Sequence, residues 1–297
     1  MAEPILVEVR RNGTVEARHR VHAVAVRAGA VVAAAGDPQL VCFMRSSSKP
    51  LQALPLVRAR DDLSDVEIAI ACASHRDTPE QVDAVRALLA AAPADEDELE
   101  LGLQEGRPPQ KIHHNCSGKH AGMLALCRSR GWDATGYRLP GHPVQLGCRD
   151  AHAEAAEVEP DRMPTATDGC GVVTFALPLE TMARAYARLP HLPGGKRVAR
   201  AMQARPDLVG GPDGVDYELM RAAPGWIAKG GAEGLLCAAD QDGLGVALKV
   251  EDGTGSRALG PALAALLGPL GVPLEALAVV PVENSRHERV GEIALRM

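Results

Sequence analysis

Aromatic residues are almost missing from this 297-residue chain: two Trp, three Tyr and two Phe make up 2% of it. That scarcity removes the stacking platforms on which single-stranded nucleic acids are held. Clustered cations are lacking as well, since 32 Lys and Arg stand against 38 Asp and Glu, a net charge of −6. With no basic block to neutralise phosphates, no nucleic-acid partner is expected. No apolar run reaches the roughly 20 residues of a membrane span. The longest, residues 259–274, is broken by Pro261, Pro269 and Pro273. The start, Met1-Ala2-Glu3-Pro4, has neither the basic nor the apolar part of an export leader. Seven cysteines, at 42, 72, 116, 127, 148, 170 and 237, are odd in number and scattered, unlike a secreted disulfide framework. A cytoplasmic protein with reduced thiols and no membrane partner is the expectation.

What is present suits a large buried core: 46% of residues are hydrophobic and 24% charged. The first 45 residues read as a β-meander, with β-prone runs at 5–9, 21–26 and 41–44 and the hairpin dipeptide Asn12-Gly13. From Ser47 onward the pattern turns helical, with Leu51, Leu54, Leu56 and Val57 after Pro50. Thr78-Pro79-Glu80-Gln81 is a capping box that opens a helix through Leu89. Residues 117–205 hold several amphipathic helices punctuated by Gly and Pro. Strand patterns return at 235–238 and 244–250 around Asp242-Gly243, then a helix near 257–267 and a strand near 293–295. No repeat or low-complexity linker appears. The expected architecture is one composite α/β (α+β) domain over residues 1–297, its sheet drawn from both termini and its helical layer from the middle.

Several polar segments carry chemistry. In Arg45-Ser46-Ser47-Ser48-Lys49-Pro50 a serine and a lysine stand three apart where a strand gives way to a helix, which puts Oγ and Nζ on one face. Serine is a poor nucleophile alone, and a neutral lysine within reach can take its proton. Ser47 and Ser48 flank Ser46, so lysine spacing alone selects Ser46. The segment is also an ordinary helix cap. Cys72-Ala73-Ser74-His75-Arg76-Asp77 follows an apolar run and reads equally as a polar loop behind a buried element. His113-His114-Asn115-Cys116-Ser117-Gly118-Lys119-His120 matches no ordinary zinc spacing, yet Cys116 and Lys119, three apart at a helix start, are placed to meet one ion. Lysine binds a metal only when neutral, so such a site has to be desolvated or electropositive. Three glycine turns each set an acid or a base beside flexible backbone: Asp168-Gly169-Cys170-Gly171, residues 229–234 ending Glu233-Gly234, and Lys249-Val250-Glu251-Asp252-Gly253. None of them is a phosphate loop.

Taken in order, these segments resemble the class 3, or rhizobial-type, L-asparaginases of the asparaginase II family. The matching stretches are RSSSKPLQA, CASHRDTPE, HHNCSGKHAGM, DGCGV, KGGAEG and VALKVEDG, spread over residues 45–253. The resemblance implies an antiparallel sheet covered by helices, similar to serine β-lactamases and serine-dependent glutaminases. It implies two Ser–Lys tandems, Ser46 with Lys49 and Ser74 with Lys249. Ser46 is expected to attack with Lys49 as its base, while Ser74 and Lys249 complete the relay or position water. The alternative is Ser74 as nucleophile with Lys249 as its base. Cys116, Lys119 and Cys170 would be zinc ligands, and Arg45, Asp168 and Glu233 would hold the substrate. The implied reaction is hydrolysis of L-asparagine to L-aspartate and ammonia, by a homodimer.

The chemistry is coherent. An amino-acid substrate needs a guanidinium for its carboxylate and carboxylates for its ammonium. Two lysines and a divalent cation in one cavity would lower each other's proton affinity and keep Lys49 neutral. No S-D-N motif is present, and Lys249-Val250-Glu251 stands where β-lactamases carry K-T-G, so penicillin chemistry is not implied. Two other readings remain open at this stage. One is a glutaminase or other amide hydrolase of the same fold, because one methylene discriminates by only about 1–3 kcal/mol. The other is a non-catalytic zinc- or amino-acid-binding protein.

Overall fold

A two-residue loop, Asn12-Gly13, joins the first two strands, with both residues at positive φ (45° and 79°) and Arg11 paired to Thr14. That is the turn whose twist matches a hairpin, and it explains why this dipeptide sits there. The strands are β1 (Ile5–Arg11), β2 (Thr14–Arg27), β3 (Ala30–Ala35), β4 (Val41–Phe43), β5 (Thr165–Thr167), β6 (Val173–Pro178), β7 (Ile227–Gly231), β8 (Leu235–Ala239), β9 (Leu244–Val250), β10 (Val279–Glu283) and β11 (Arg289–Leu295). The α-helices are α1 (Lys49–Gln52), α2 (Leu54–Ala59), α3 (Asp65–Ala71), α4 (Pro79–Ala91), α5 (Ser117–Arg130), α6 (Pro143–Ala156), α7 (Leu179–Arg188), α8 (Gly195–Ala204), α9 (Pro206–Val209), α10 (Val215–Ala222), α11 (Gly255–Leu267) and α12 (Glu275–Ala278). This computed structural model describes residues 2–212 and 214–296; Met1 and Met297, the ends of the expected domain, and Asp213 lie outside the described residues.

The chain gathers into two compact units. One comprises Met1–Cys42, Leu177–Ala187 and Asp213–Met297, the other Phe43–Ala176 and Arg188–Pro212. The first is built on an antiparallel sheet in the order β10-β11-β1-β2-β9-β8-β7, with β3 also paired to β2. The first strand therefore lies beside the last, Val7 opposite Leu295. The second half of β2 is almost wholly buried between β3 and β9, while its first half alternates exposed and inward residues. The alternation in that first half is what one solvated face requires. Helix α11 packs its Ala258, Ala262, Leu263 and Leu267 side on β1, β2, β9 and β11.

The second unit is mainly helical. Helix α4 opens on Thr78, whose hydroxyl accepts the Gln81 N–H while Gln81 returns a bond to the Thr78 N–H. Helix α3 opens on the same device, Ser64 with Glu67. The helical pattern read from Ser47 onward is two short helices, and Pro55 withholds the backbone N–H that would continue α1 into α2. Strands β3, β5, β6 and β10 were not evident from sequence pattern. β3 is the sequence AVVAAA, where small residues give no alternation, and pairing along β2 decides its conformation. No helix among the described residues is long and apolar enough to cross a membrane.

Candidate active site

The segment Arg45–Ser48 forms a 3-10 turn that runs directly into α1. Two bonds tie its entry to β6: Met44 N–H donates to Phe175 O at 2.9 Å, and Arg45 N–H to Thr174 Oγ1 at 3.1 Å. Arg45 adopts φ +49°, a left-handed conformation that costs a side-chain-bearing residue of order 1–3 kcal/mol. The turn sends its guanidinium to Asp168, Nε to Oδ1 at 2.6 Å. Asp168 Oδ1 also accepts the Gly169 N–H, which fixes the carboxylate on the 168–171 turn. Of the three adjacent serines, Ser47 and Ser48 are buried and Ser46 is half-buried.

Lys49 is wholly buried at the start of α1. Its Nζ lies 2.9 Å from Ser74 Oγ, 2.5 Å from Ala73 O and 3.5 Å from Asn115 O. The structure thus joins the lysine of the first expected tandem to the serine of the second. Ser46 Oγ has no hydrogen-bond partner among the described residues. Ser74 lies past the end of α3, after Cys72 and Ala73, and its own N–H is held by Val209 O at 2.8 Å.

Cys116, Lys119 and Cys170 converge. Lys119 Nζ lies 2.9 Å from Cys170 Sγ, and the Cys170 thiol is hydrogen-bonded to Cys116. Helix α5, which carries Lys119, approaches the end of α3 closely: a Cβ on Gly118 would come within 2.2 Å of Ile70 O. Only glycine allows that approach. The hydrogen bond from Cys170, with Lys49 and Lys119 nearby, holds the Cys116 thiol well below its usual range despite burial. Its partner Cys170 is pushed the other way, by the bond to Cys116 and by burial. Burial presses Lys119 toward neutrality, but Cys116, Cys170 and Asp168 outweigh it and hold the proton. Lys119 therefore holds its proton more firmly than an exposed lysine does, and the neutral amine that the sequence reading requires applies to the metal-bound site. A cation entering this group displaces that proton. Two thiols and one amine suit a thiophilic divalent ion. Among the described residues, no group of three or more His, Cys, Asp or Glu forms a metal site.

Lys249 and Glu233 belong to the sheet unit. Lys249 stands on β9, opposite His22 on β2 and Leu235 on β8, and its Nζ bonds Val250 O. Glu233 is exposed in the β7–β8 turn at φ +60°. Sequence reasoning assigned no role to His75, Asn115 or Thr174, although all three bond the site segments. His75 and Asn115 lie inside the singled-out motifs, so position was a signal. Thr174 gave none.

A family model described as L-asparaginase II matches residues 7–295. The comparison with curated proteins returned no match. Among solved structures, a putative beta-lactamase from Bacteroides dorei DSM 17855 is 13% identical, covers 90% of this chain and 94% of its own, and has a TM-score of 0.45. A structure of Mglu in its native form, in the presence of 4.3M NaCl, is 15% identical over 90% of this chain with a TM-score of 0.40. The chain spans 66% of the length of that Mglu chain.

Proposed function

This chain belongs to the L-asparaginase II family, and from that premise we propose that it is an amide hydrolase that converts L-asparagine to L-aspartate and ammonia through a serine ester. The observation that carries the reading is the 2.9 Å contact between buried Lys49 Nζ and Ser74 Oγ. Two backbone carbonyls, Ala73 O at 2.5 Å and Asn115 O at 3.5 Å, hold the same nitrogen beside that hydroxyl. A neutral amine at this distance can take the Ser74 proton.

In this mechanism Ser74 Oγ bonds to the side-chain carbonyl carbon of the substrate as its proton passes to Lys49. The C–N bond breaks and Lys49 returns the proton to the departing ammonia. Water then opens the ester and releases aspartate. Ser46, with its unengaged hydroxyl, supplies the second hydroxyl of the site, and it is the residue that carries the acyl group if Ser74 only relays the proton. Lys249 is the lysine of the second tandem. Arg45 receives the substrate α-carboxylate, and Asp168 with Glu233 the α-ammonium. Cys116, Lys119 and Cys170 would hold a zinc ion, which offers a polarising cation with one coordination position left for water or substrate.

The test is ammonia release from L-asparagine, L-glutamine and an asparagine-containing peptide, by wild type, Ser74→Ala and Ser46→Ala. Trapping the acyl adduct and locating it by peptide mass spectrometry names the nucleophile. An adduct on residue 74 supports the assignment, and one on residue 46 transfers the role. Full turnover in both alanine variants overturns the serine mechanism, and turnover confined to glutamine overturns the substrate.

A further inference from the structure

His75 is fully buried next to Ser74, and each of its polar atoms has a defined partner. Its Nδ1 accepts the Asp77 N–H at 3.2 Å and so carries no proton. Its Nε2–H is therefore the donor to Ser117 Oγ at 2.8 Å, and Ser117 Oγ in turn donates to Ile112 O at 2.8 Å. Its backbone N–H donates to Asn115 O at 3.2 Å. Arg107 closes the set, its two terminal nitrogens on His75 O and His113 O at 2.9 and 2.8 Å.

These bonds join two stretches of chain, residues 73–75 and 112–117. They are the same two stretches that supply Lys49 Nζ with its oxygens: Ala73 O and Ser74 Oγ from one, Asn115 O from the other. A shift of one stretch against the other opens that cage. We propose that His75 is a positioning residue, its neutral imidazole latching the Ser74 segment to the start of the Lys119 helix so that Ser74 Oγ and Asn115 O stay in register around Lys49. The consequence for chemistry rests on the amide hydrolysis proposed above. The latch itself does not. A misplacement of about 1 Å at a reacting group costs on the order of 100-fold in rate.

The side-chain amide of Gln places its nitrogen where imidazole has Nε2, whereas that of Asn reaches only as far as Nδ1. His75→Gln keeps the bond to Ser117, and His75→Asn keeps only the acceptor for Asp77. The expected result is a kcat about 100-fold lower in His75→Asn with KM within about 3-fold of wild type, and a kcat within about 5-fold of wild type in His75→Gln. Amide hydrogen exchange at residue 75 reports the latch without any turnover, and should quicken at least about 10-fold in His75→Asn but not in His75→Gln. Unchanged kcat and exchange in His75→Asn, or equal damage in both variants, would overturn the inference. If wild type releases no ammonia, the proposed function falls while the exchange measurement still decides the latch.

Discussion

Two buried lysines, one in each unit, have been given opposite surroundings. Lys229 on β7 meets a carboxylate, its Nζ 3.2 Å from Asp216 Oδ2, and Asp216 also accepts the Gly230 and Tyr217 N–H groups. Burial works against the Asp216 charge, but Lys229 and those two amides outweigh it and hold the carboxyl below its usual range. Lys49 meets two carbonyls and a hydroxyl. A carboxylate partner fixes the protonated form, because losing the proton would strand the acid in a low dielectric. Neutral oxygens exert much less of that hold, and an amine among them is able to exchange its proton in a reaction. Lys229 is paired to a carboxylate, whereas Lys49 is the lysine that moves a proton in the mechanism proposed above.

The sharpest way to break this contrast is to remove each amine. Lys49→Met and Lys49→Arg should both lower turnover by about 10³-fold or more, since methionine has no base and a guanidinium does not deprotonate. Lys49→Met takes the amine away from neutral oxygens and should cost less stability than Lys229→Met. Lys49→Arg forces a larger, permanent cation into a buried site and should destabilise the fold as well. Lys229→Met should do the reverse, destabilising the fold by about 3–5 kcal/mol because Asp216 is left buried and unpaired. Adding Asp216→Leu should restore most of that loss. Urea denaturation and ammonia release on the same four proteins check all of it. A Lys229→Met variant as stable as wild type, or a Lys49→Arg variant with near-normal turnover, would erase the distinction.

Acid titration separates the two regions by pH. Burial, with Lys49 and Arg107 nearby, lowers His75 to about 4, and burial lowers His152 to about 4. In the unfolded chain these imidazoles take protons near pH 6.5. As pH falls from there to about 4 the unfolded state binds more protons than the fold, so stability declines over that window. Asp216 behaves differently: its carboxyl is depressed, so its contribution is present above its unfolded value near 4 and is lost only as pH drops through the lower folded value. Urea midpoints at about pH 7.5, 5.5 and 4.5 should fall steadily in wild type and less steeply in His152→Leu. An identical slope in the two proteins would remove His152 from the account.

The sequence made some of this arrangement legible and hid the rest for physical reasons. Local devices were readable: the Asn12-Gly13 turn and the Thr78 capping box act between near neighbours, and the structure has both. The convergence of Cys116, Lys119 and Cys170 came through the family resemblance, since spacing alone brings Cys116 to Lys119 but says nothing of Cys170, 51 residues beyond Lys119. The Lys49–Ser74 contact was not legible, because helical spacing points Lys49 at its own turn, whereas the packing of α5 on α3 through Gly118 brings in residues 73, 74 and 115. Strand β6, which anchors Arg45 through Thr174, was missed because its buried run VTFALP has no period that distinguishes strand from helix.

A third cation completes the series and should matter least. Arg200 on α8 reaches Asp65 at the start of α3 with a separation of 2.8 Å, shorter than the Lys229–Asp216 contact, but the two side chains are 61% and 32% exposed. Water screens such a pair in both the folded and unfolded states, and two mobile side chains lose rotamer freedom to make it. Arg200→Ala should therefore change stability by only about 0.2–1 kcal/mol, with the difference shrinking as salt is raised. Thermal or urea unfolding at low and high ionic strength measures it. A loss as large as that of Lys229→Met would show that contact distance, rather than desolvation, sets the strength of these pairs.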